Sequence, residues 1–153
     1  MNENKTIENR AKVLVERFSQ YTDWEDRYRE LIKIGKSLSP LEEQYQIEKY
    51  LIKGCQSQVW LVPSYKDGRV FFSADSDAIL VKGIIGLLVE AYSTSTPDEI
   101  LSYKADFLKE IGITEHLSMN RTNGLASMLK QIQMYAFAYK TLSDRGIMEA
   151  PGA

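Results

Sequence analysis

Residues 59–92 read VWLVPSYKDGRVFFSADSDAILVKGIIGLLVEAY, and this stretch carries the clearest fold signals of the chain. Its first part is β-branched and aromatic at 59–62 and again at 69–73, with a turn signal at 66–68 between them, which predicts two antiparallel strands. Its second part, 76–92, is apolar nearly all round, which is typical of a buried helix. The run is too short and too charged for a membrane span, so we expect this helix to pack on the sheet.

Upstream of this stretch, the pattern predicts two helices and one further strand. Apolar residues recur at helical spacing over about 5–20. Thr22 and Glu25 form a capping box that opens a second helix, and Gly35 suits the C-terminal cap of that helix. A short strand at 50–52 would extend the hairpin to a meander of three strands.

Downstream, the pattern predicts three more helices. A short helix begins after Thr96, residues 104–111 form another, and the last helix begins near Thr122. We expect residues 143–153 to be a flexible tail, and no linker or internal repeat divides the chain. The order of elements predicts a single α+β domain over residues 1–153, with a small antiparallel sheet of about three strands and helices packed against it.

Composition and charge exclude several classes of function. The chain has 153 residues, with 19 Lys and Arg against 21 Asp and Glu, so its net charge is −2. This balance argues against bulk electrostatic binding to nucleic acid or to anionic membranes. One cysteine and one histidine cannot supply the ligands of a structural zinc or iron–sulfur site, so we expect no metal and no bound cofactor. The polar N-terminus and the absence of a long apolar run predict a cytoplasmic protein.

The candidate reactive group is Cys55, which follows Gly54 at the boundary between the short strand and the stronger one. Gly54 permits backbone angles that other residues avoid, so the turn could present the thiol to another protein. The polar neighbours Gln56 and Ser57 count against a position in the core. A lone free cysteine is nonetheless more often a small buried hydrophobe than a reactive group. These residues alone leave both interpretations open.

The sequence motifs around Cys55 resemble those of the SufE/CsdE family of sulfur-acceptor proteins. The most specific match is the run GCQSQVW at 54–60, followed by ADSDA at 74–78 and NGL at 123–125, and the likeness covers about residues 22–135 in the right order and spacing. Further matching residues are Arg27, Tyr28, Val81, Lys82, Gly83, Thr96, Pro97, Ile100, His116, Leu117, Ser118 and Arg121. The resemblance implies a fold like that of the cluster scaffold IscU, with helices against a small sheet.

The resemblance also implies an activity and its partners. Cys55 corresponds to the family cysteine, which accepts sulfane sulfur as a persulfide from a pyridoxal-phosphate cysteine desulfurase. Family members stimulate that enzyme and pass the sulfur toward the scaffold complex of iron–sulfur cluster assembly. Because this chain has a single cysteine, it resembles a carrier and activator without turnover of its own, and not a cluster scaffold. Whether the chain forms a homodimer stays open.

Three charged residues are candidates for supporting this chemistry. The Cys55 thiolate must attack the outer sulfur of a donor persulfide, and an unperturbed thiol is mostly protonated at pH 7. The family motif places an arginine near the cysteine loop, so Arg121 is the candidate cation that favours the thiolate. The alternative is a surface arginine or one at the start of the last helix. Asp75 is expected to cap the buried helix, whereas Asp77 either caps it or holds the cysteine loop closed.

Two other function classes remain as alternatives. Cys55 and His116 would form a thiol hydrolase or acyltransferase if the two side chains were within hydrogen-bond reach, although no local signature supports this. In the second alternative, Cys55 is inert and the surface only docks a partner. Trp60, five residues after Cys55, is expected in the core, with a position in the wall of the thiol pocket as the second interpretation.

Overall fold

Residues 6–150 are described by the computed structural model, and they have the expected α+β architecture. Within this range the sheet has two antiparallel strands, β1 (Val59–Lys66) and β2 (Arg69–Ser76). The α-helices in chain order are α1 (Ile7–Ser19), α2 (Trp24–Lys36), α3 (Ile79–Tyr92), α4 (Pro97–Ser102), α5 (Phe107–Ile111), α6 (Ile113–His116) and α7 (Met119–Asp144). Two 3₁₀ helices, Glu43–Tyr45 and Glu48–Tyr50, precede the sheet.

The two strands form the predicted hairpin, and local chemistry explains its turn. Asp67 and Gly68 have positive φ angles of 53° and 73°, the geometry of a two-residue Asp-Gly turn whose twist matches that of paired strands. Pro63 lies inside β1 opposite Phe72, whose N–H donates to Ser93 Oγ at 3.0 Å. Pro63 and Phe72 therefore form a pair that is not hydrogen-bonded between the strands. The missing N–H of Pro63 costs the sheet no hydrogen bond.

The third strand predicted at 50–52 is reduced to an isolated bridge between Leu51 and Trp60. The chain enters this bridge from a 3₁₀ helix and leaves it through Gly54, whose φ of 94° turns the backbone away from the strand direction. Pairing therefore ends before a ladder forms. The fold class, with a small antiparallel sheet and helices packed against it, is confirmed, but the expected number of three strands is wrong for the described residues.

Helix α3 is the buried helix that the sequence predicts, and it contacts α2 at backbone distance. A Cβ added at Gly83 would lie under 3.0 Å from the carbonyl oxygen of Leu31, and one at Gly35 would lie 2.8 Å from the Gly83 nitrogen. Gly35 is therefore needed for the contact between the helices. Its predicted role as a cap is wrong, because α2 ends at Lys36 and its C-cap is Ser37.

Two helix starts differ from the predicted ones. Asp23, and not Thr22, caps α2, because its carboxylate accepts a backbone N–H of the first turn at 3.0 Å. Ser118 caps α7 by accepting the N–H of Arg121 at 3.3 Å, so this helix begins before Thr122. Arg121 consequently lies in the first turn of α7 and not in the loop that precedes it.

The last described residues lie against the hairpin. The Gly68 N–H donates to the Met148 carbonyl at 2.8 Å, and the Ala150 N–H donates to the Tyr65 carbonyl at 3.0 Å. These contacts involve the segment 143–153, whose flexibility stays a prediction, and residues 151–153 lie outside the described residues. Within 6–150, one main core joins residues from α1 to α7, and no helix of this range is long and apolar enough to cross a membrane.

Candidate thiol site

The loop between the Leu51 bridge and β1 positions Cys55, and Gly54 sets the path of that loop. Gly54 has a φ of 94°, a conformation that L side chains rarely adopt. A Cβ at Gly54 would also lie under 3.0 Å from the Ser127 hydroxyl on α7. Only glycine satisfies both conditions, so the turn holds the next residue, Cys55, against α7 in a half-buried position.

A cavity of about 220 Å³ opens beside the thiol. One side of this thiol cavity is apolar and comes from α3 and α7, and the other side is polar and comes from the cysteine loop and the start of α7. Its lining residues other than Cys55 are Val81, Ile84, Gly124, Met128, Gln56, Ser57, Ser118, Asn120 and Arg121. The structure thus brings the predicted residues Cys55, Gln56, Ser57 and Arg121 to one opening, with Gly54 directly before them.

The immediate contacts of the sulfur come from α7. The Cys55 thiol donates to the Gly124 carbonyl with a distance of 3.7 Å between Sγ and O. A Cβ at Gly124 would lie 3.4 Å from this sulfur, so the glycine leaves free volume beside the thiol. A glycine inside a long helix costs helix stability, which is the signal in the sequence that another group approaches the helix closely.

Burial raises the pKa of the Cys55 thiol above its ordinary value. The hydrogen bond to the Gly124 carbonyl acts in the same direction, because only the protonated thiol can donate it. Arg121 lines the thiol cavity but is exposed. A nearby arginine would activate the thiol by lowering its pKa. In this conformation the pKa of Cys55 is instead raised, which favours the protonated thiol.

Asp77 ties the far end of the cysteine loop to the start of the α3 region. Its Oδ1 accepts the Gln58 N–H at 3.0 Å, and its own N–H donates to the Gln58 carbonyl at 3.3 Å. Asp75 lies in β2 and forms an ion pair with Lys82 at 3.2 Å. Because α3 starts at Ile79 without a side-chain cap, the expected capping of this helix by Asp75 is wrong.

The histidine and the tryptophan that the sequence offers to the site lie elsewhere. His116 stacks on Trp24 with ring centroids 4.2 Å apart, and it is not among the residues that line the thiol cavity. Trp60 packs with Leu41 and Tyr50 in a separate small cluster, so it is a core aromatic and not a wall of the cavity. Among the described residues, the structure does not assemble the Cys–His pair of a thiol hydrolase.

The potential metal ligands do not converge. Across residues 6–150, no group of three or more His, Cys, Asp or Glu side chains could hold a metal ion. The chemistry available at the thiol cavity is therefore that of one sulfur atom with an apolar floor, a polar rim and a guanidinium group.

The fold and the thiol loop match known proteins over most of the chain. Residues 12–136 match the family model of SufE, described as an Fe–S metabolism associated domain. An uncharacterised SufE-like protein from Synechocystis sp. is 36% identical over 137 residues, which cover 90% of this chain and 86% of the relative.

A solved structure has the same fold. The solution structure of a hypothetical protein from Thermus thermophilus matches with a TM-score of 0.72 and 22% identity, and the match covers 86% of this chain and 96% of that one. The family match spans the whole site described above, from the cysteine loop to the first turns of α7. The chain, with its single cysteine at the thiol cavity, therefore belongs to the SufE family of sulfur-transfer proteins associated with Fe–S metabolism.

Proposed function

We propose that this protein is a sulfur carrier that accepts sulfane sulfur on Cys55 from a pyridoxal-phosphate cysteine desulfurase, stimulates that enzyme and passes the sulfur to iron–sulfur cluster assembly. The observation that carries the proposal is the single cysteine of a SufE-family chain, half-buried beside a cavity with free volume. Pyridoxal phosphate belongs to the partner in this account, and the chain itself contributes a thiol and its surroundings.

The transfer step is an exchange at sulfur. The Cys55 thiolate attacks the outer sulfur of the persulfide on the desulfurase, a new S–S bond forms on Cys55, and the S–S bond of the donor breaks. The donor cysteine leaves as a thiolate and is ready for the next turnover. Clearing the donor persulfide in this way is how a carrier without turnover of its own stimulates the enzyme.

The thiol cavity suits the product of this step. A cavity of about 220 Å³ is well above the ~30 Å³ that one molecule occupies in liquid water, so one further sulfur atom fits beside Cys55. Val81, Ile84 and Met128 supply an apolar floor. A persulfide is more easily oxidised than a thiol, and an apolar shelter limits its contact with solvent oxidants.

Because burial raises the pKa of the Cys55 thiol, the partner is expected to change the environment of this sulfur. Burial disfavours the thiolate while the loop is closed, so the attacking species forms when the thiol leaves the Gly124 carbonyl and turns toward the polar rim of the cavity. Gly54 can rotate without a side-chain penalty, and release of Asp77 from Gln58 frees the other end. Arg121 at the rim is then the cation that stabilises the thiolate.

The experiment that tests the proposal measures the rate of alanine release from cysteine by a cysteine desulfurase. We expect this protein to raise the rate and Cys55→Ser to leave it at its basal value, because the hydroxyl cannot accept sulfane sulfur. His116→Ala is the matched control and should stimulate as the unsubstituted protein does. Equal stimulation by Cys55→Ser would overturn the proposal in favour of a docking role without sulfur chemistry.

A further inference from the structure

A second opening lies between the segment 48–53 and α7, and no step of the sulfur transfer uses it. This groove, here called the lysine groove, has a volume of about 820 Å³. Its walls include the basic residues Lys49, Lys53 and Lys130 and the larger apolar or aromatic residues Leu51, Met134 and Tyr135.

The charge of the lysine groove contrasts with that of the whole chain. Three lysines line it against one acidic residue, Glu48, whereas the chain has a net charge of −2. Lys49, Lys53 and Lys130 are all exposed, and none of them joins an ion pair among residues 6–150. The groove therefore concentrates positive charge that is free to pair with an acidic partner.

Helix α7 also exposes two large apolar side chains, of which Met134 lines the groove and Phe137 lies beyond it along the helix. Met134 is 55% exposed and Phe137 is 60% exposed. Their spacing from Lys130, four and seven residues along the helix, places all three side chains on one helix face. A basic rim next to exposed apolar groups is complementary to a segment that is acidic on one side and apolar on the other.

Two residues connect the lysine groove to the cysteine loop. Ser127 lines the groove, and its hydroxyl packs against Gly54, where a Cβ would lie under 3.0 Å away. Lys53, also in the groove wall, directly precedes Gly54. A segment bound in the groove would therefore contact the N-terminal end of the loop that carries Cys55.

We infer that the lysine groove binds an acidic, amphipathic segment of the sulfur-donating partner, and that binding there brings the partner to the cysteine loop. This inference rests on the proposed function and adds the surface and the chemistry by which the donor is recognised.

Binding to a cysteine desulfurase by isothermal titration calorimetry tests this inference in the Cys55→Ser background, where no sulfur transfer occurs. We expect the triple substitution Lys49→Glu, Lys53→Glu and Lys130→Glu to raise the dissociation constant about tenfold or more, because opposed charges become like charges. We also expect the salt dependence of binding to change sign, because added salt screens an attraction in the parent and a repulsion in the triple variant.

A matched control separates the groove from net charge. The triple substitution Lys12→Glu, Lys33→Glu and Lys109→Glu changes the net charge equally at exposed lysines of α1, α2 and α5. We expect this control to bind as the parent does. Equal affinities of all three proteins would overturn the groove inference and leave the carrier function standing. No binding by the parent to any cysteine desulfurase, together with no stimulation of the enzyme by the protein that retains Cys55, would overturn both.

Photo-crosslinking supplies a second measurement that does not depend on charge reversal. Benzoylphenylalanine in place of Met134 should crosslink to an acidic peptide of the desulfurase, and the same probe in place of Val13, which is 46% exposed on α1, should not. Crosslinks from the Met134 position only to a second copy of this chain, or only to a basic peptide of the desulfurase, would overturn the inference.

Discussion

At the residue scale, the proposed sulfur transfer depends on Cys55, whose surroundings favour the protonated thiol. Cys55 is half-buried, donates to the Gly124 carbonyl and has a pKa raised by burial. The sequence points to this residue and to the glycine before it. The direction of the pKa shift of Cys55 cannot be predicted from the sequence. Helices α3 and α7 bury the thiol, and both lie far from Cys55 along the chain.

The pH dependence of Cys55 alkylation reports this shift. We expect the rate with iodoacetamide to rise with a midpoint above that of the same chain in denaturant, where burial is lost and the pKa returns to its ordinary value. By linkage, the folded state holds the proton more tightly, so the free energy of unfolding should fall as pH rises from the ordinary to the raised pKa. A folded midpoint at or below the denatured one would contradict this account of the resting thiol.

Asp77 accepts the Gln58 N–H at the end of the cysteine loop, and we expect this hydrogen bond to keep the loop closed. We expect Asp77→Ala to remove the hydrogen bond to the Gln58 N–H, to lower the free energy of unfolding by about 1 kcal/mol and to speed alkylation of Cys55 about fivefold. Asp75→Ala is the matched control, because its partner is Lys82 and not the loop. If both substitutions speed alkylation equally, Asp77 does not hold the loop.

At the element scale, the sequence predicts those features that depend on neighbouring residues. The hairpin was predictable because the Asp-Gly turn is encoded locally, and the buried helix was predictable from an unbroken apolar run. The third strand was not, because the turn at Gly54 ends its pairing after Leu51. Gly35 has the local pattern of a helix cap, yet its position is set by the approach of α3.

Gly83 of α3 and Gly124 of α7 should respond differently to substitution by alanine. A methyl group at Gly83 would collide with the Leu31 carbonyl, so we expect Gly83→Ala to lower the free energy of unfolding by about 1–3 kcal/mol in a urea titration. At Gly124 the methyl group meets the Cys55 sulfur at 3.4 Å, and the gain in helix propensity of up to ~1 kcal/mol should offset that contact. Equal destabilisation at both positions would contradict the backbone contact between α2 and α3.

At the scale of the whole molecule, the site is a meeting of three segments that lie far apart in the sequence. The cysteine loop, α3 and the first turns of α7 enclose the thiol cavity, and the lysine groove lies along the same helix α7. Sequence reasoning reached Cys55, Gln56, Ser57 and Arg121 through the family motif. It missed Met128 and Ile84, which carry no chemical signal of their own and are brought to the sulfur only by packing.

The same scale bears on the hydrolase alternative. His116 stacks on Trp24, Trp60 packs with Leu41 and Tyr50, and neither residue lines the thiol cavity. Their positions in the sequence alone could not decide this. A carrier needs one thiol, a shelter and a partner surface, and the fold provides a candidate for each.

Intact-protein mass spectrometry tests the central claim most directly. The protein is incubated with a cysteine desulfurase and free cysteine, with and without dithiothreitol, beside Cys55→Ser as control. The account predicts a gain of one sulfur atom that dithiothreitol removes and that Cys55→Ser does not acquire. A protein that gains no sulfur from any cysteine desulfurase it binds, or that gains it equally without Cys55, would contradict the account.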